Sequence, residues 1–366
     1  MSLKAGIVGL PNVGKSTLFN AITKKNILAA NYPFATIDPN VGMVTVPDER
    51  LTYLEELYMP KSTVPTTFEF TDIAGLVKGA SKGEGLGNKF LSHIRETDAI
   101  VEVVRCFDDE NITHVEGKTD PIRDIEIINL ELIFADLEII ENRLNKIIKK
   151  AETTKDKEAL LEVNTLTKCK ENLENNIPLR RLEFSEEELL VMKPFNFITL
   201  KPLIYAANVT EEDCIIGDND YTLKVKEYAD KENSSVIVMC AKMESELSEL
   251  NDDDKKLFLE ELGISNSGLD RLIFATYNLL GLETFFTSGA DECRAWTFRR
   301  GMNAKSCAGI IHSDIERGFI KAEVTSFNDL KEYGTELKVK EAVKLRLEGK
   351  DYLMQDGDIV YFRFNV

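Results

Sequence analysis

Short apolar runs rich in β-branched residues alternate with amphipathic or glycine-rich stretches through the first 110 residues. Each run is bounded by polar or turn residues, which predicts strands at 4–8, 41–46, 66–71 and 99–104. The same signal returns later in the chain, at 202–207 and 236–239. Strands that alternate with helical segments are typical of a doubly wound, mostly parallel α/β sheet, and we predict that fold class here.

A helical pattern separates the two sets of strands. Its apolar positions recur at alternating steps of three and four: Leu130, Ile133, Leu137, Ile140, Leu144 and Ile147. That spacing predicts a helix with one apolar seam. A polar stretch at 153–157 interrupts the pattern, which then continues to residue 173. We therefore predict an antiparallel helical hairpin, at 126–199, inserted into a domain formed by 1–125 and 200–281.

The pattern changes again after a helix predicted at 269–280. Alternating or β-branched runs follow at 284–287, 293–298, 319–324 and 359–364. Several short strands after a helix predict a separate, small α+β domain, which we place at 282–366.

The segment between the first strand and the first helix matches a phosphate-binding loop. Residues 9–17 read Gly-Leu-Pro-Asn-Val-Gly-Lys-Ser-Thr, which fits G-x-x-x-x-G-K-[ST]. In such a loop the backbone N–H groups face the phosphates, the lysine reaches the β- and γ-oxygens, and the serine hydroxyl binds Mg²⁺. The predicted nucleotide-binding residues here are Asn12, Val13, Gly14, Lys15, Ser16 and Thr17.

Two further stretches carry the residues that a nucleotide switch requires. Asp72 closes a strand and opens a D-x-x-G motif, in which the carboxylate holds Mg²⁺ and the Gly75 N–H reads the γ-phosphate. Further glycines follow closely, which favours a segment that changes conformation. Upstream, Thr36 offers a second hydroxyl ligand to magnesium. The predicted metal ligands are Ser16, Thr36 and Asp72.

Composition narrows the classes of function. The formal net charge is −18, and no apolar run approaches the ~20 residues that a membrane span needs. Bulk electrostatic coating of nucleic acid, binding of DNA and membrane insertion are therefore not expected. The chain opens directly on a strand, without an export signal, so we expect a cytoplasmic protein. The six cysteines lack Cys-x-x-Cys spacing and are expected to be reduced and structural.

These motifs together resemble the Obg-related translation-factor GTPases and, within them, the YchF family of Obg-like ATPases. The resemblance covers nearly the whole chain and is most specific at 31–40, 72–80 and 108–115. That family carries a helical hairpin inserted in the G domain and a C-terminal TGS domain of β-grasp type. The resemblance implies an ATP-hydrolysing protein that associates with the ribosome, either the large subunit or the whole ribosome, through ribosomal RNA or ribosomal protein.

The base-recognition residues depart from those of ordinary GTPases, whose Asn-Lys-x-Asp motif accepts two hydrogen bonds from guanine. Here the corresponding residues are Asn208, Val209, Thr210 and Glu211, so the lysine is absent and the acid is one carbon longer. The longer acid does not place its carboxylate where the aspartate stands, and a carboxylate close to adenine would repel its N1 lone pair. We therefore predict that guanine selectivity is lost. The predicted base site comprises Asn208, Val209, Glu211, Cys240, Ala241 and Lys242. We expect Asn208 to tie its two loops together, and the backbone of 240–242 to read the adenine edge.

The catalytic residues also depart from the Ras pattern, because Leu76 stands where those enzymes have a water-orienting glutamine. A leucine cannot polarise water. The resemblance points to His114, whose imidazole is suited to orient or deprotonate water. A monovalent cation such as K⁺, held by Asn12, is the alternative. The predicted catalytic residues are Lys15, Gly75 and His114.

Two locally basic segments predict where an acidic chain contacts RNA. They are Lys146, Lys149 and Lys150 near the hairpin tip, and Arg294, Arg299, Arg300 and Lys305 in the C-terminal domain. Two other functions stay open: an Obg-type GTPase with relaxed base choice, and a nucleotide-gated RNA- or protein-binding module with incidental hydrolysis. A metabolic P-loop kinase is disfavoured, because it has no use for Thr36 and Asp72 as paired switches.

Overall fold

The computed structural model describes residues 3–27, 40–73, 86–109, 117–154 and 156–365. The chain forms two compact units. The first comprises Met1–Val44 and Glu69–Thr276, and the second comprises Thr45–Phe68 and Tyr277–Val366. Strands and helices are numbered below in chain order, so each unit uses only some of the numbers.

The first unit is built on a sheet whose strands lie in the order β2-β4-β1-β5-β6-β7. Their bounds are β1 Lys4–Val8, β2 Val41–Thr45, β4 Thr67–Asp72, β5 Ala99–Arg105, β6 Leu203–Asn208 and β7 Ser235–Met239. The pairings β1–β4, β1–β5, β5–β6 and β6–β7 are parallel. β5 and β6 are buried along their whole length, as expected for central strands covered on both faces. The predicted α/β class is confirmed, with strand ends within one or two residues of those predicted.

Helices accompany these strands in the first unit. Outside the hairpin region they are α1 Lys15–Ile27, α3 Leu86–Arg95, α7 Glu211–Ile216, α8 Asp220–Asp230, α9 Ala241–Leu247, α10 Asp252–Glu261 and α11 Gly268–Leu279. None of the helices in the described ranges has the length and apolar character needed to cross a membrane.

The hairpin consists of α4 Pro121–Thr154 and α5 Lys157–Glu174. Ile133, Ile140 and Leu144 of the predicted seam are buried against Leu166 and Leu173 of α5. Shorter elements follow: the 3₁₀ turns Leu179–Arg181 and Lys193–Phe195, with α6 Glu186–Met192 between them. The helix thus begins five residues before the predicted start of the insert, because Pro121 is well suited to a first helical position.

The second unit holds a mixed sheet in the order β11-β10-β12-β8-β9-β3. Its strands are β3 Ser62–Val64, β8 Leu282–Thr287, β9 Glu292–Arg299, β10 Phe319–Ser326, β11 Arg346–Glu348 and β12 Asp358–Phe364. Its helices are α2 Glu49–Tyr58, α12 Ala304–Ile311, α13 Ser313–Arg317, α14 Phe327–Tyr333 and α15 Glu336–Glu341. β12 is parallel to β8, whereas β8–β9 and β10–β12 are antiparallel. This is the strand arrangement of a β-grasp domain.

Residues 45–68 do not follow the predicted domain boundaries, which place them in the N-terminal domain. In the structure β3 pairs in parallel with β9, and Leu51 and Leu54 of α2 are buried beside Phe286 and Ile359. The boundary at 282 therefore omits part of the second unit. Local periodicity could not reveal this, because an amphipathic helix shows which face is buried but not which core covers that face.

Candidate nucleotide-binding site

The phosphate-binding loop lies between the end of β1 and the start of α1, as its motif requires. Asn12 and Gly14 both adopt positive φ angles, of 65° and 96°. Asparagine tolerates a positive φ better than most residues do. Position 14 requires glycine for a second reason, because a Cβ there would collide with the side-chain nitrogen of Asn208. The Leu18 N–H then donates to the Gly14 carbonyl at 3.0 Å, which begins the helical hydrogen-bond pattern.

Lys15 and Asp72 meet at this loop. The Lys15 ammonium forms an ion pair with Oδ1 of Asp72, and only 9% of Lys15 is exposed. The contact follows from the sheet, because Asp72 of β4 lies in register with Ile7 of β1. Oxygen ligands suit Mg²⁺, so the Asp72 carboxylate beside the loop fits the predicted metal position, with the Ser16 hydroxyl at the start of α1.

Asn208 joins the phosphate-binding loop to the loops of the predicted base site, 208–211 and 240–242, which are called the base loops below. Its Nδ2 donates to the Val13 carbonyl at 2.9 Å, and its Oδ1 accepts from the Ala241 N–H at 2.9 Å. The side chain sits at the carboxyl end of β6, only 5% exposed, between β5 and β7. The tie expected of Asn208 from its motif is therefore present, and one amide fixes three chain segments.

The base loops are shaped by the starts of two short helices. The Thr210 hydroxyl caps α7 by accepting from the Asp213 N–H at 3.1 Å, and the Cys240 sulfur accepts from the Met243 N–H at 3.5 Å at the start of α9. The Val209 N–H donates to the Met239 carbonyl, and its side chain is 2% exposed. Val209 is therefore buried directly after the end of β6, where a charged side chain would be costly.

Glu211 and Lys242 connect the two base loops at the surface. Oε1 of Glu211 lies 2.8 Å from Nζ of Lys242, and the two side chains are 46% and 72% exposed. The hydrogen bond to Glu211 raises the pKa of Lys242 above its ordinary value. Sequence reasoning selected both residues for the base site but did not predict that they pair.

Several predicted residues lie outside the described part of the chain: Thr36, Gly75, Leu76 and His114. The residues that flank the His114 segment are described. Arg105 donates to the carbonyls of Phe107 and Asp109, and Tyr221 donates to the Asp108 carboxylate at 2.8 Å. Hydrogen bonds from Thr119 and Tyr221 lower the pKa of Asp108. No sequence signal pointed to Tyr221, because its partner is 113 residues away.

The basic residues predicted to contact RNA differ in their exposure to solvent and in their contacts with other protein groups. Lys146 and Lys149 are exposed on α4, and the side chain of Lys150 is not described. Arg299 and Lys305 are also exposed. Arg300, by contrast, forms an ion pair with Glu283 at 2.7 Å, and the Arg294 guanidinium covers the Trp296 ring at 4.3 Å. Arg294 and Arg300 would have to exchange a protein partner for a phosphate.

Comparison with known proteins covers both units. The family model described as 50S ribosome-binding GTPase matches residues 4–134, and the C-terminal model of YchF-type GTPases, described as a protein of unknown function, matches 282–365. The ribosome-binding ATPase YchF of Bacillus subtilis is 60% identical, and that of Escherichia coli O157:H7 is 53% identical, each over the full length of both chains. The solved structure of the Schizosaccharomyces pombe YchF GTPase is 42% identical, covers 99% of this chain and 98% of its own, and gives a TM-score of 0.89.

Proposed function

The chain belongs to the YchF family, and we propose that it is a ribosome-associated ATPase that binds Mg-ATP in preference to GTP. It hydrolyses ATP to ADP and phosphate in the cytoplasm, and the nucleotide state controls ribosome binding. The observation that carries this proposal is the Asn208 tie. It joins a phosphate loop to base loops that lack the guanine-reading lysine and aspartate.

Phosphate binding requires one exchange of partners. Lys15 now contacts Asp72, and a bound nucleotide would draw the ammonium to its β- and γ-oxygens. The released Asp72 carboxylate would then hold Mg²⁺ together with the hydroxyls of Ser16 and Thr36. The ion supplies positive charge that offsets the charge developing on the transferred phosphoryl group.

Base preference is the direct test of the proposal. Calorimetry with both nucleotides in Mg²⁺ should give a lower Kd for ATP than for GTP. A tenfold preference for GTP, about 1.4 kcal/mol, would contradict the proposal and favour an Obg-type GTPase. The variant Glu211→Asp restores the guanine-reading acid without placing a lysine at the buried Val209 position, and it should shift the preference toward GTP.

Hydrolysis tests the role of His114. If its imidazole positions water, His114→Ala should lower kcat by ~10² while the Kd for ATP stays nearly constant. Leu76→Ala should have a smaller effect. An unchanged kcat in His114→Ala would transfer the role to a cation held by Asn12, which replacement of potassium by sodium would then reveal.

Ribosome attachment should use the basic segments, with ribosomal RNA as the partner. Binding should weaken steeply with salt, and removing one lysine or arginine that binds a phosphate should lower the log–log slope by ~1. The test is co-sedimentation of a variant with five cations changed to Glu: Lys146, Lys149, Lys150, Arg299 and Arg300. A control of equal charge changes Lys193, Lys224, Lys231, Lys256 and Lys331 instead. Equal pelleting of the two variants would show that the wrong surface was chosen.

A further inference from the structure

The ion pair between Glu211 and Lys242 spans the two halves of the base site. Glu211 is the first residue of α7 and Lys242 is the second residue of α9, so each side chain leaves the first turn of its helix. The two turns are held by the Thr210 and Cys240 caps and by the Asn208 bond to Ala241. The ion pair therefore connects two helix starts that other hydrogen bonds already hold in place.

Helix stability does not account for Lys242. The N-terminal end of a helix carries partial positive charge, so a cation in the first turn is unfavourable there and an anion is favourable. Glu211 has the favourable position in α7, whereas Lys242 has the unfavourable one in α9. The partner that offsets this cost is the carboxylate on the other loop, since Glu246 on α9 itself lies farther away, at 4.0 Å.

The chemistry of the two purines gives this contact a consequence. A carboxylate free to turn toward the base would accept hydrogen bonds from the N1–H and 2-amino group of guanine. The same carboxylate would face the N1 lone pair of adenine and repel it. A carboxylate already bound to an ammonium group has fewer lone pairs to offer, and the ion pair as a whole carries no net charge.

We propose that Lys242 is a specificity-determining residue, because its ion pair with Glu211 withholds the carboxylate from the base and so favours adenine over guanine. This rests on the proposed preference for ATP and names a second residue that sets it. An exposed ion pair is a weak interaction, so we expect it to change the preference about fivefold rather than to create it alone.

A role confined to loop stability would give a different result. If the pair only held α7 and α9 in place, its loss would weaken the binding of adenine and guanine nucleotides by the same factor. The informative quantity is therefore the ratio of two dissociation constants rather than either constant alone.

The experiment measures Kd for ADP and GDP in Mg²⁺, since diphosphates report on the base without turnover. Lys242→Met should raise the Kd for ADP, lower the Kd for GDP and so reduce the preference for ADP about fivefold. Adding Glu211→Gln to that variant removes the freed charge and should restore the preference. The control Lys231→Met breaks another exposed lysine–glutamate pair, with Glu227 at 3.4 Å on α8, and should change neither constant.

Salt gives a second measurement on the folded wild type. About 1 M KCl screens an exposed ion pair, so the preference should fall in the wild type and stay constant in Lys242→Met. An unchanged ratio in Lys242→Met, or equal weakening of both nucleotides, would overturn the role of Lys242. A wild type that prefers GDP would instead overturn the proposed ATP preference, so the two failures are distinguishable.

Discussion

The two sheets of this chain are assembled from sequence in different ways. In the first unit, neighbouring parallel strands end at one edge. Asn208 at the end of β6 meets Val13 and Ala241 there, which follow β1 and β7. In the second unit, a sheet of mixed direction receives β3 at its edge and α2 in its core from residues 45–68. A hydrogen bond between the hydroxyls of Thr66 and Thr297 joins two residues that are 231 positions apart in the sequence. The first arrangement concentrates chemistry at one edge, and the second makes a domain depend on a distant segment.

The largest expected effect tests that dependence. Leu54 is fully buried in the second unit, so Leu54→Ala should lower its free energy of unfolding by about 3 kcal/mol. Urea unfolding followed through Trp296, the single tryptophan of the chain, reports on this unit. The Kd for ADP should stay within about twofold, or 0.4 kcal/mol.

Leu337→Ala is the matched control for this measurement, because Leu337 is 67% exposed on α15 of the same unit and its loss should cost under about 0.5 kcal/mol. A destabilisation below about 1 kcal/mol for Leu54→Ala would mean that α2 contributes little to the second core.

An intermediate effect is expected at Asn208, which connects the loops at the carboxyl ends of the strands of the first sheet. Asn208→Ala leaves the Val13 carbonyl and the Ala241 N–H without their partner, which should cost about 2 kcal/mol of nucleotide binding, or roughly 30-fold in Kd. The Trp296 unfolding curve should not move.

Asn303→Ala provides the reciprocal measurement. Asn303 caps α12 in the second unit, so its loss should cost that unit ~1 kcal/mol and leave nucleotide binding unchanged. If Asn208→Ala shifts the Trp296 curve as much as Asn303→Ala does, the two units are not energetically separate.

The smallest effect compares one hydrogen bond in two settings. Tyr221 donates to Asp108 and Tyr352 donates to Asp358, both at 2.8 Å. Hydrogen bonds from Thr119 and Tyr221 lower the pKa of exposed Asp108, whereas burial raises the pKa of Asp358. Asp108 therefore adds stability above its unfolded pKa, and that stability is lost as pH falls through the folded value. Asp358 has the opposite sign, because the folded state holds its proton more tightly and stability falls as pH rises from the unfolded pKa to the folded one.

Tyr221→Phe and Tyr352→Phe should each raise the pKa of the partner carboxyl, which carboxyl ¹³C chemical shifts measured against pH would show. The acid-dependent loss of stability at Asp108 should shrink, and the pH range over which Asp358 loses stability should widen. A fall in either pKa would mean that the phenol hydroxyl does not favour the carboxylate form.

Sequence reasoning located the elements well wherever the signal was local. Strands such as β5 and β6 were found because a buried parallel strand is a continuous apolar run with clear ends. The Asn208 tie followed from a motif with a known geometry. The three-residue β3 was missed because its only distinguishing feature is the partner β9. The Glu211–Lys242 contact depends on how two helices begin, 31 positions apart, which no local window contains.

The placement of residues 45–68 also governs when the second unit can fold during synthesis. Translation at ~10 residues per second separates α2 from the β8–β12 strands by about 30 s. During that time the strands that bury Leu51 and Leu54 have not been synthesised. The first unit must therefore fold while residues 45–68 are still unpacked. Exposed apolar surface of this kind invites chaperone binding or aggregation. A fragment that starts at residue 282 meets the same deficit permanently, since the helix that fills its core is encoded more than two hundred residues upstream.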